Sequence, residues 1–316
     1  MNERLDRRGF LRKSLAATAV AALGASFEEQ ALAQQSANPA PRAGNKAPAP
    51  FPTGKIGNLT ISRLICGGNL ISGFAHSRDL IYVSGLLKQY FTDAKVFETL
   101  ALCEARGINT AILRLDENTT RLLKQYRRER GGKIQWLAQV KIKANDFSEI
   151  QQAVDHGAAG VYVHGGVGDE LVQNKQVEVL GKAVQSIKKH GVIAGIAGHN
   201  LDVVMSCEEA AINPDFYMKT FNSKQYWSAG PQPRHDSVWE ETPQKTLEYM
   251  QEVDRPWIAY KVLGAGAIHP REGFQYAYQN GADFLGVGMF DFQVEEDVQL
   301  ARQALEKTRL RNRPWA

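Results

Sequence analysis

The chain is poor in the features that mark several protein classes. It has only three cysteines in 316 residues. Cys66, Cys103 and Cys207 are odd in number and far apart, which excludes a disulfide framework and leaves buried thiols as the simpler reading. No apolar run reaches the roughly 20 residues that a membrane helix needs, so a multi-span membrane protein is excluded. Neither sign of charge dominates: 38 basic and 34 acidic residues leave a net +4. So small an excess, spread along the chain, carries no nucleic-acid or membrane footprint. No H-E-x-x-H motif is present, and no G-x-G-x-x-G follows the first strand. What is present is ordinary globular composition, 43% hydrophobic and 23% charged.

The N-terminus reads as a targeting segment. Arg7-Arg8-Gly9-Phe10-Leu11-Arg12-Lys13 is a basic stretch, Ser14 to Phe27 is Ala-rich and weakly apolar, and Ala31-Leu32-Ala33 offers a small-x-small cleavage site. The Arg-Arg-x-Phe-Leu order resembles a twin-arginine signal, which implies a folded cargo, the twin-arginine export machinery as a partner and export to the bacterial periplasm or extracytoplasmic space. Residues 34–52, rich in Pro, Ala, Asn and Gln, read as a tether. The expected organisation is a signal peptide over 1–33, a linker over 34–52 and one folded domain over 53–316.

From Thr53 onward, short apolar runs alternate with helical patterns. The runs are Arg63–Gly67, Asn109–Leu115, Ile134–Ile142, Ala159–His164, Val192–Ala197, Phe216–Phe221, Trp257–Leu263 and Asp283–Gly288. Successive apolar residues suit strands buried on both faces of a parallel sheet. Gly107, Gly157, Gly191 and Gly281 each stand between a helical pattern and the next run, where a helix ends in a left-handed residue. Eight such units predict an α/β fold, a (β/α)8 TIM barrel; a doubly wound open sheet is the alternative.

Two segments resemble the aldo-keto reductase superfamily. Gly54 to Leu64 (GKIGNLTISRL) is similar to that family's N-terminal hairpin, which closes the barrel's bottom. Phe97 to Thr110 (FETLALCEARGINT) is similar to its first helix and the entry to strand two. The resemblance implies carbonyl reduction with NADP(H) by an Asp, a Tyr acid, a Lys that lowers the Tyr pKa, and a His. Lys141 falls at the family's lysine position and His164 at its histidine. The Asp position falls on Ile112 and the Tyr position near Glu117, and the last loop, Gly288 to Gln293, lacks the basic residues expected to grip a 2′-phosphate.

In this fold the chemistry sits at the C-terminal ends of the strands. Five of the seven histidines map to that end: His76, His164, His199, His235 and His269. The expected catalytic residues are Lys141, His164, His199 and Lys219, with Asn69, His76, Arg114, Asp116, Trp227 and Lys261 as substrate contacts. His164 and His199, on neighbouring strand ends, are candidates for a divalent metal. Lys219 in Tyr217-Met218-Lys219-Thr220-Phe221 resembles the strand-six position of Schiff-base barrel aldolases, with Lys261 as the cation that would lower its pKa. Its bland alternative is an ion pair with Asp116, Asp215 or Asp236, or a role in holding a substrate anion. Gly264, Gly266 and Gly288 suit an anion cradle, and tight turns explain them equally. The long loop 222–242, with Tyr226, Trp227 and Trp239, suits a wall against a sugar-like substrate.

These residues predict an exported barrel enzyme acting on the carbonyl or hydroxyl carbons of a small polar metabolite. The competing readings are an NADPH reductase using Glu117 or His164 as its acid, a Schiff-base or metal-dependent lyase or isomerase, and a non-catalytic binding barrel.

Overall fold

The computed structural model describes residues 50–74, 80–225, 240–309, 311 and 313–315. The expected signal peptide, most of the tether, His76, Tyr226, Trp227, His235, Asp236 and Trp239 lie outside the described residues. A two-stranded antiparallel hairpin comes first, β1 (Thr53–Ile56) and β2 (Leu59–Ser62). Eight parallel strands follow: β3 (Leu64–Gly67), β4 (Thr110–Arg114), β5 (Gln135–Val140), β6 (Gly160–Val163), β7 (Ile193–Gly198), β8 (Phe216–Thr220), β9 (Trp257–Tyr260) and β10 (Phe284–Gly288). They pair in chain order, and β10 pairs with β3 to close the barrel. Each strand coincides with one of the eight expected runs.

Ten helices lie among the described residues. They are α1 (Ile81–Tyr90), α2 (Asp93–Ala105), α3 (Glu117–Arg130), α4 (Ser148–Asp155), α5 (Gly165–Gln173), α6 (Val177–Lys189), α7 (Leu201–Glu209), α8 (Pro243–Glu252), α9 (Pro270–Gln279) and α10 (Val294–Lys307). Two exceed one helix per strand, because α1 precedes α2 and α5 precedes α6. Gly107, Gly157, Gly191 and Gly281 have φ of 86°, 81°, 74° and 101°, the left-handed conformation expected where each helix ends. No helix of the described residues is long and apolar enough to cross a membrane.

The core has two parts. The larger one lies between strands and helices, and the smaller one fills the barrel. Ile56 and Ile61 of the hairpin are fully buried in the smaller one, beside Ile65, Leu137, Tyr162, Ile193, Phe216, Ile258 and Phe284. The hairpin is therefore the plug of the barrel's N-terminal end. Asn109 holds it there: its Oδ1 accepts from the Ser62 amide (2.8 Å), its own amide donates to Ser62 Oγ (3.1 Å), and its Nδ2 donates to the Thr60 carbonyl (2.9 Å). Packing begins ahead of the expected boundary at Thr53, since Phe51 is already buried in the larger core.

Candidate functional site

Arg114 ends β4, Lys141 follows β5, His164 follows β6, His199 follows β7 and Lys261 follows β9. Arg114 pairs with Gln139, Val140 pairs with Val163, and the His164 amide donates to the Val140 carbonyl (2.9 Å). Each of the five stands at or just beyond the C-terminal end of a barrel strand. Asn69 is exposed in the turn after β3.

The two histidines are held in opposite tautomers. His164 is the N-cap of α5, and its Nδ1 accepts a hydrogen bond from the Gly166 amide (3.1 Å). An amide can only donate, so Nδ1 holds the lone pair and the neutral ring carries its proton on Nε2. Burial lowers the His164 pKa, and Lys141 lowers it further; Arg114 and Lys261 add to the effect against Asp169. His199 is the reverse case. Its Nδ1 lies 2.6 Å from Asp169 Oδ2, and a carboxylate only accepts, so Nδ1 carries the proton and Nε2 the lone pair of the neutral ring. Burial outweighs the Asp169 carboxylate and brings the His199 pKa down to about 4. Lys261 and His164 contribute to the same depression.

Asp169 is the residue that sequence reasoning missed. Besides the imidazole it accepts the amides of His199 (2.9 Å) and Asn200 (3.0 Å), so one carboxylate fixes both ring and backbone. Helix α5 brings it there because glycine lets that helix approach β7. A Cβ on Gly168 would stand 2.3 Å from the Ala197 carbonyl oxygen, and one on Gly165 would stand 2.6 Å from Tyr260 Oη and 3.0 Å from His199 Cε1. The clustered Gly165, Gly166 and Gly168 after β6 were the available signal for such an approach. Tyr260 was missed as well. Its ring centroid lies 5.5 Å from that of His199. Its hydroxyl and that of its strand neighbour Thr220 are both buried without a well-formed hydrogen bond. Burial pushes the Tyr260 pKa well up, and the nearby Thr220 hydroxyl offsets only part of that rise.

Lys219 is completely buried, and all three of its protons are engaged. Nζ donates to the carbonyls of His199 and Thr220 (2.7 Å each) and to Glu240 Oε2 (2.9 Å). Its partner is therefore Glu240, and neither Asp116 nor Asp215 of the alternatives weighed from sequence; Asp236, the third, lies outside the described residues. Asp116 pairs with Arg114 (3.0 Å) and Asp215 with Lys188 (3.0 Å). Burial lowers the Lys219 pKa, but the charges acting on it, Glu240 and Asp169, both favour the ammonium. Glu240 in turn accepts from Thr242 N (3.1 Å) and Thr246 Oγ1 (3.2 Å), so the pair anchors the returning end of the 222–242 loop.

The glycines of the expected anion cradle serve the turn. Gly264 N donates to the Lys261 carbonyl (3.2 Å), and Gly266 N to that of Leu263 (2.9 Å). Gly288 packs against Leu70, and a Cβ on Gly67 would stand 2.8 Å from the Gly288 amide. Both of these observations match the tight-turn and close-packing explanation.

Among the described residues no group of three or more His, Cys, Asp or Glu side chains is arranged to hold a metal ion. Of the four aldo-keto reductase positions, the Asp and Tyr positions lack the groups that hydride transfer with NADP(H) uses. Ile112 is an apolar side chain packed in the barrel, Glu117 starts α3, and the last loop presents Asp291, whose carboxylate is tied to Lys95 (2.9 Å) and Tyr90.

No protein-family model matches the chain, and no curated protein matches it. Solved structures do. PA4992 of Pseudomonas aeruginosa, assigned to the aldo-keto reductases, superposes over 80% of this chain and 95% of its own, with a TM-score of 0.57 and 19% identity. A truncated 3-deoxy-D-arabino-heptulosonate 7-phosphate synthase of Thermotoga maritima covers 83% and 95% (TM-score 0.52, 11% identity). A mutant of Gox0644, solved in complex with NADPH, covers 82% and 94% (TM-score 0.52, 10% identity). At these identities the likeness shows a shared closed barrel.

Proposed function

We propose that this barrel is an enzyme that moves protons at a carbonyl or hydroxyl carbon of a small polar metabolite. The observation that carries the reading is the pair of opposed ring contacts on adjacent strand ends, His164 Nδ1 facing the Gly166 amide and His199 Nδ1 facing the Asp169 carboxylate. His199, oriented by Asp169, is the base: its Nε2 takes a proton from the carbon beside a carbonyl or from a hydroxyl. The electrons of a broken C–H bond pass into a new C=C bond, and the carbonyl oxygen takes up negative charge. His164 Nε2–H donates to that oxygen, and Lys141, Arg114 and Lys261 supply the positive field that stabilises it. A neutral imidazole suits the donor role because its depressed pKa matches it to an oxyanion without the proton being lost beforehand. Where that carbon also bears a hydroxyl, His164 gives its Nε2 proton to the first oxygen, the hydroxyl returns its proton to His164 as it becomes the new carbonyl, and His199 delivers the abstracted proton to the former carbonyl carbon, which completes an isomerisation. Lys219, with its three protons committed, is left out of the chemistry as a nucleophile.

The test is turnover of a panel of small oxo and hydroxy compounds, sugars included, followed by solvent-deuterium exchange at the carbon. His164→Ala and Lys141→Met are expected to abolish exchange while the unfolding midpoint stays in place. Full activity in both variants contradicts the reading. A second reading, carbonyl reduction, is favoured by one observation, the adjacency of Lys141 and His164 just after β5 and β6. Titration with NADPH separates the two, since the proton-transfer reading needs no nucleotide.

Export in folded form belongs to the same proposal and rests on Arg7-Arg8 and Ala31-Leu32-Ala33. An Arg7→Lys/Arg8→Lys variant is expected to stay in the cytoplasm, while the parent chain reaches the periplasm with Gln34 as its first residue. A parent chain that remains uncleaved in the cytoplasm overturns it.

A further inference from the structure

We infer that Lys219 is a positioning residue for His199: its ammonium, aimed by Glu240, fixes the backbone that carries the base. This rests on the reading of His199 as the base and adds the group that sets it in place from outside the barrel.

Strand alternation decides where Lys219 acts. Phe216 and Met218 belong to the core inside the barrel, while Tyr217 and Phe221 belong to the outer one. Lys219 alternates with Met218 and so leaves the lumen for the layer between strands and helices. Fully buried there, it does not face the mouth, and any part it has in the chemistry passes through another residue. The backbone supplies that residue. The ladder between β7 and β8 ends at the pair Gly198 and Lys219. His199 and Thr220 are the first residues past that rung, and the Lys219 ammonium bridges their carbonyls (2.7 Å each). A side chain thereby extends the joining of the two strands by one residue, at the point where the base stands.

A second charge completes the hold. Asp169 accepts from the His199 amide (2.9 Å) and from its ring Nδ1 (2.6 Å). Amide, carbonyl and Nδ1 of His199 are thus all held by ionised side chains. Thr220, tied by the same ammonium, pairs in register with Tyr260, whose ring lies against that of His199 with centroids 5.5 Å apart. Stability does not account for the buried pair. The Lys219 side chain is fully buried and that of Glu240 is 2% exposed, and apolar side chains of similar volume fill such a space as well as two buried charges or better. What apolar side chains cannot do is reach two carbonyls at once. Glu240 divides its oxygens: Oε2 takes the ammonium (2.9 Å), and Oε1 accepts from Thr242 N (3.1 Å) and Thr246 Oγ1 (3.2 Å) at the start of α8. The carboxylate is thereby fixed, and it fixes the direction of the ammonium.

The test is ring NMR of His199 in Lys219→Met/Glu240→Gln, joined by kinetics on the oxo or hydroxy compound that the parent chain turns over. The double variant removes both charges and keeps an acceptor for Thr242 and Thr246, so its unfolding midpoint should stay near the parent's. The His199 ring is expected to lose its single Nδ1-protonated form. The value of kcat should fall on the order of tenfold to a hundredfold, with KM within about twofold of the parent's. Tyr217→Phe removes a buried hydrogen bond to Glu208 (2.6 Å) from the same strand and should leave ring and kcat unchanged. Glu240→Gln alone leaves Lys219 its two carbonyls and should move both readouts in the same direction by less; it decides the matter if the double variant does not fold. Parent-like His199 signals in the folded variants, or an equal change in Tyr217→Phe, overturn the inference. The two proposals fail separately, because the ring measurement needs no substrate. A displaced ring with undiminished turnover upholds the link from Lys219 to His199 and contradicts His199 as the base.

Discussion

The two ends of the barrel treat charge in opposite ways. At the N-terminal end, Asp283 is fully buried and answers two arginines, Arg311 (2.5 Å) and Arg313 (2.6 Å), while also accepting from the Trp257 amide (3.1 Å). Arg63 lies against the rings of Phe284 and Trp315, and Arg311 lies 3.5 Å from the Trp315 centroid. Arg313 also donates to the carbonyls of Val253 (3.1 Å) and Arg255 (2.6 Å). These contacts bind the C-terminal residues to the strand starts. At the C-terminal end, Arg114, Lys141 and Lys261 gather around two histidines held neutral, and one of those cations occupies a strained turn. A carboxylate closed between two arginines locks a structure, whereas histidines with lowered pKa at strand ends are placed where this fold does its chemistry.

The largest effect that would break this contrast is expected at Asp169. Asp169→Asn should free the His199 ring to take the wrong tautomer and lower turnover on the order of 10²- to 10⁴-fold. The unfolding midpoint should move little, so a loss of stability equal to the loss of activity would assign Asp169 a structural role. At the other end, Asp283→Ala leaves two buried guanidinium groups unanswered. Denaturant titration should show about 3–5 kcal/mol of lost stability, with the mouth chemistry of the remaining folded protein intact.

Acid sensitivity should belong to the mouth. The His199 pKa of about 4 in the folded chain lies below its ordinary 6.5. Between those values the unfolded chain binds the proton more readily, so stability is complete above about pH 6.5 and declines as the pH falls toward 4. His164, shifted in the same direction, adds to the decline. A His199→Asn variant should therefore show a shallower loss across that window in a pH series of melting curves. The smallest effect is a gain. Lys261→Gly relieves the left-handed strain and should raise stability by about 1 kcal/mol, even as it removes a charge from the mouth. A loss of stability there would mean that the lysine side chain supports the turn.

The barrel was legible in the sequence because its signals are local and repeated. Eight apolar runs and four glycines at helix ends report backbone geometry, and each stands where it was expected. The rim was legible for the same reason: Arg114, Lys141, His164, His199 and Lys261 follow directly from where the strands end. Partnerships were not. The pairing of Lys219 with Glu240 joins a strand to the far end of a long loop, and that of His199 with Asp169 crosses from a strand end to an extra helix. Nothing in the spacing of those residues fixes such contacts, which depend on how closely α5 approaches β7. Glycine served two purposes that the sequence does not separate, since Gly264 and Gly266 turn the chain while Gly168 admits a helix.

Histidine ring NMR at pH 7, with long-range correlation of ring nitrogens to ring protons, tests the central claim most directly. Two neutral rings of opposite kind are expected, His164 protonated at Nε2 and His199 at Nδ1. An imidazolium at either position, or the same tautomer at both, would contradict the account of the mouth as an acid–base pair.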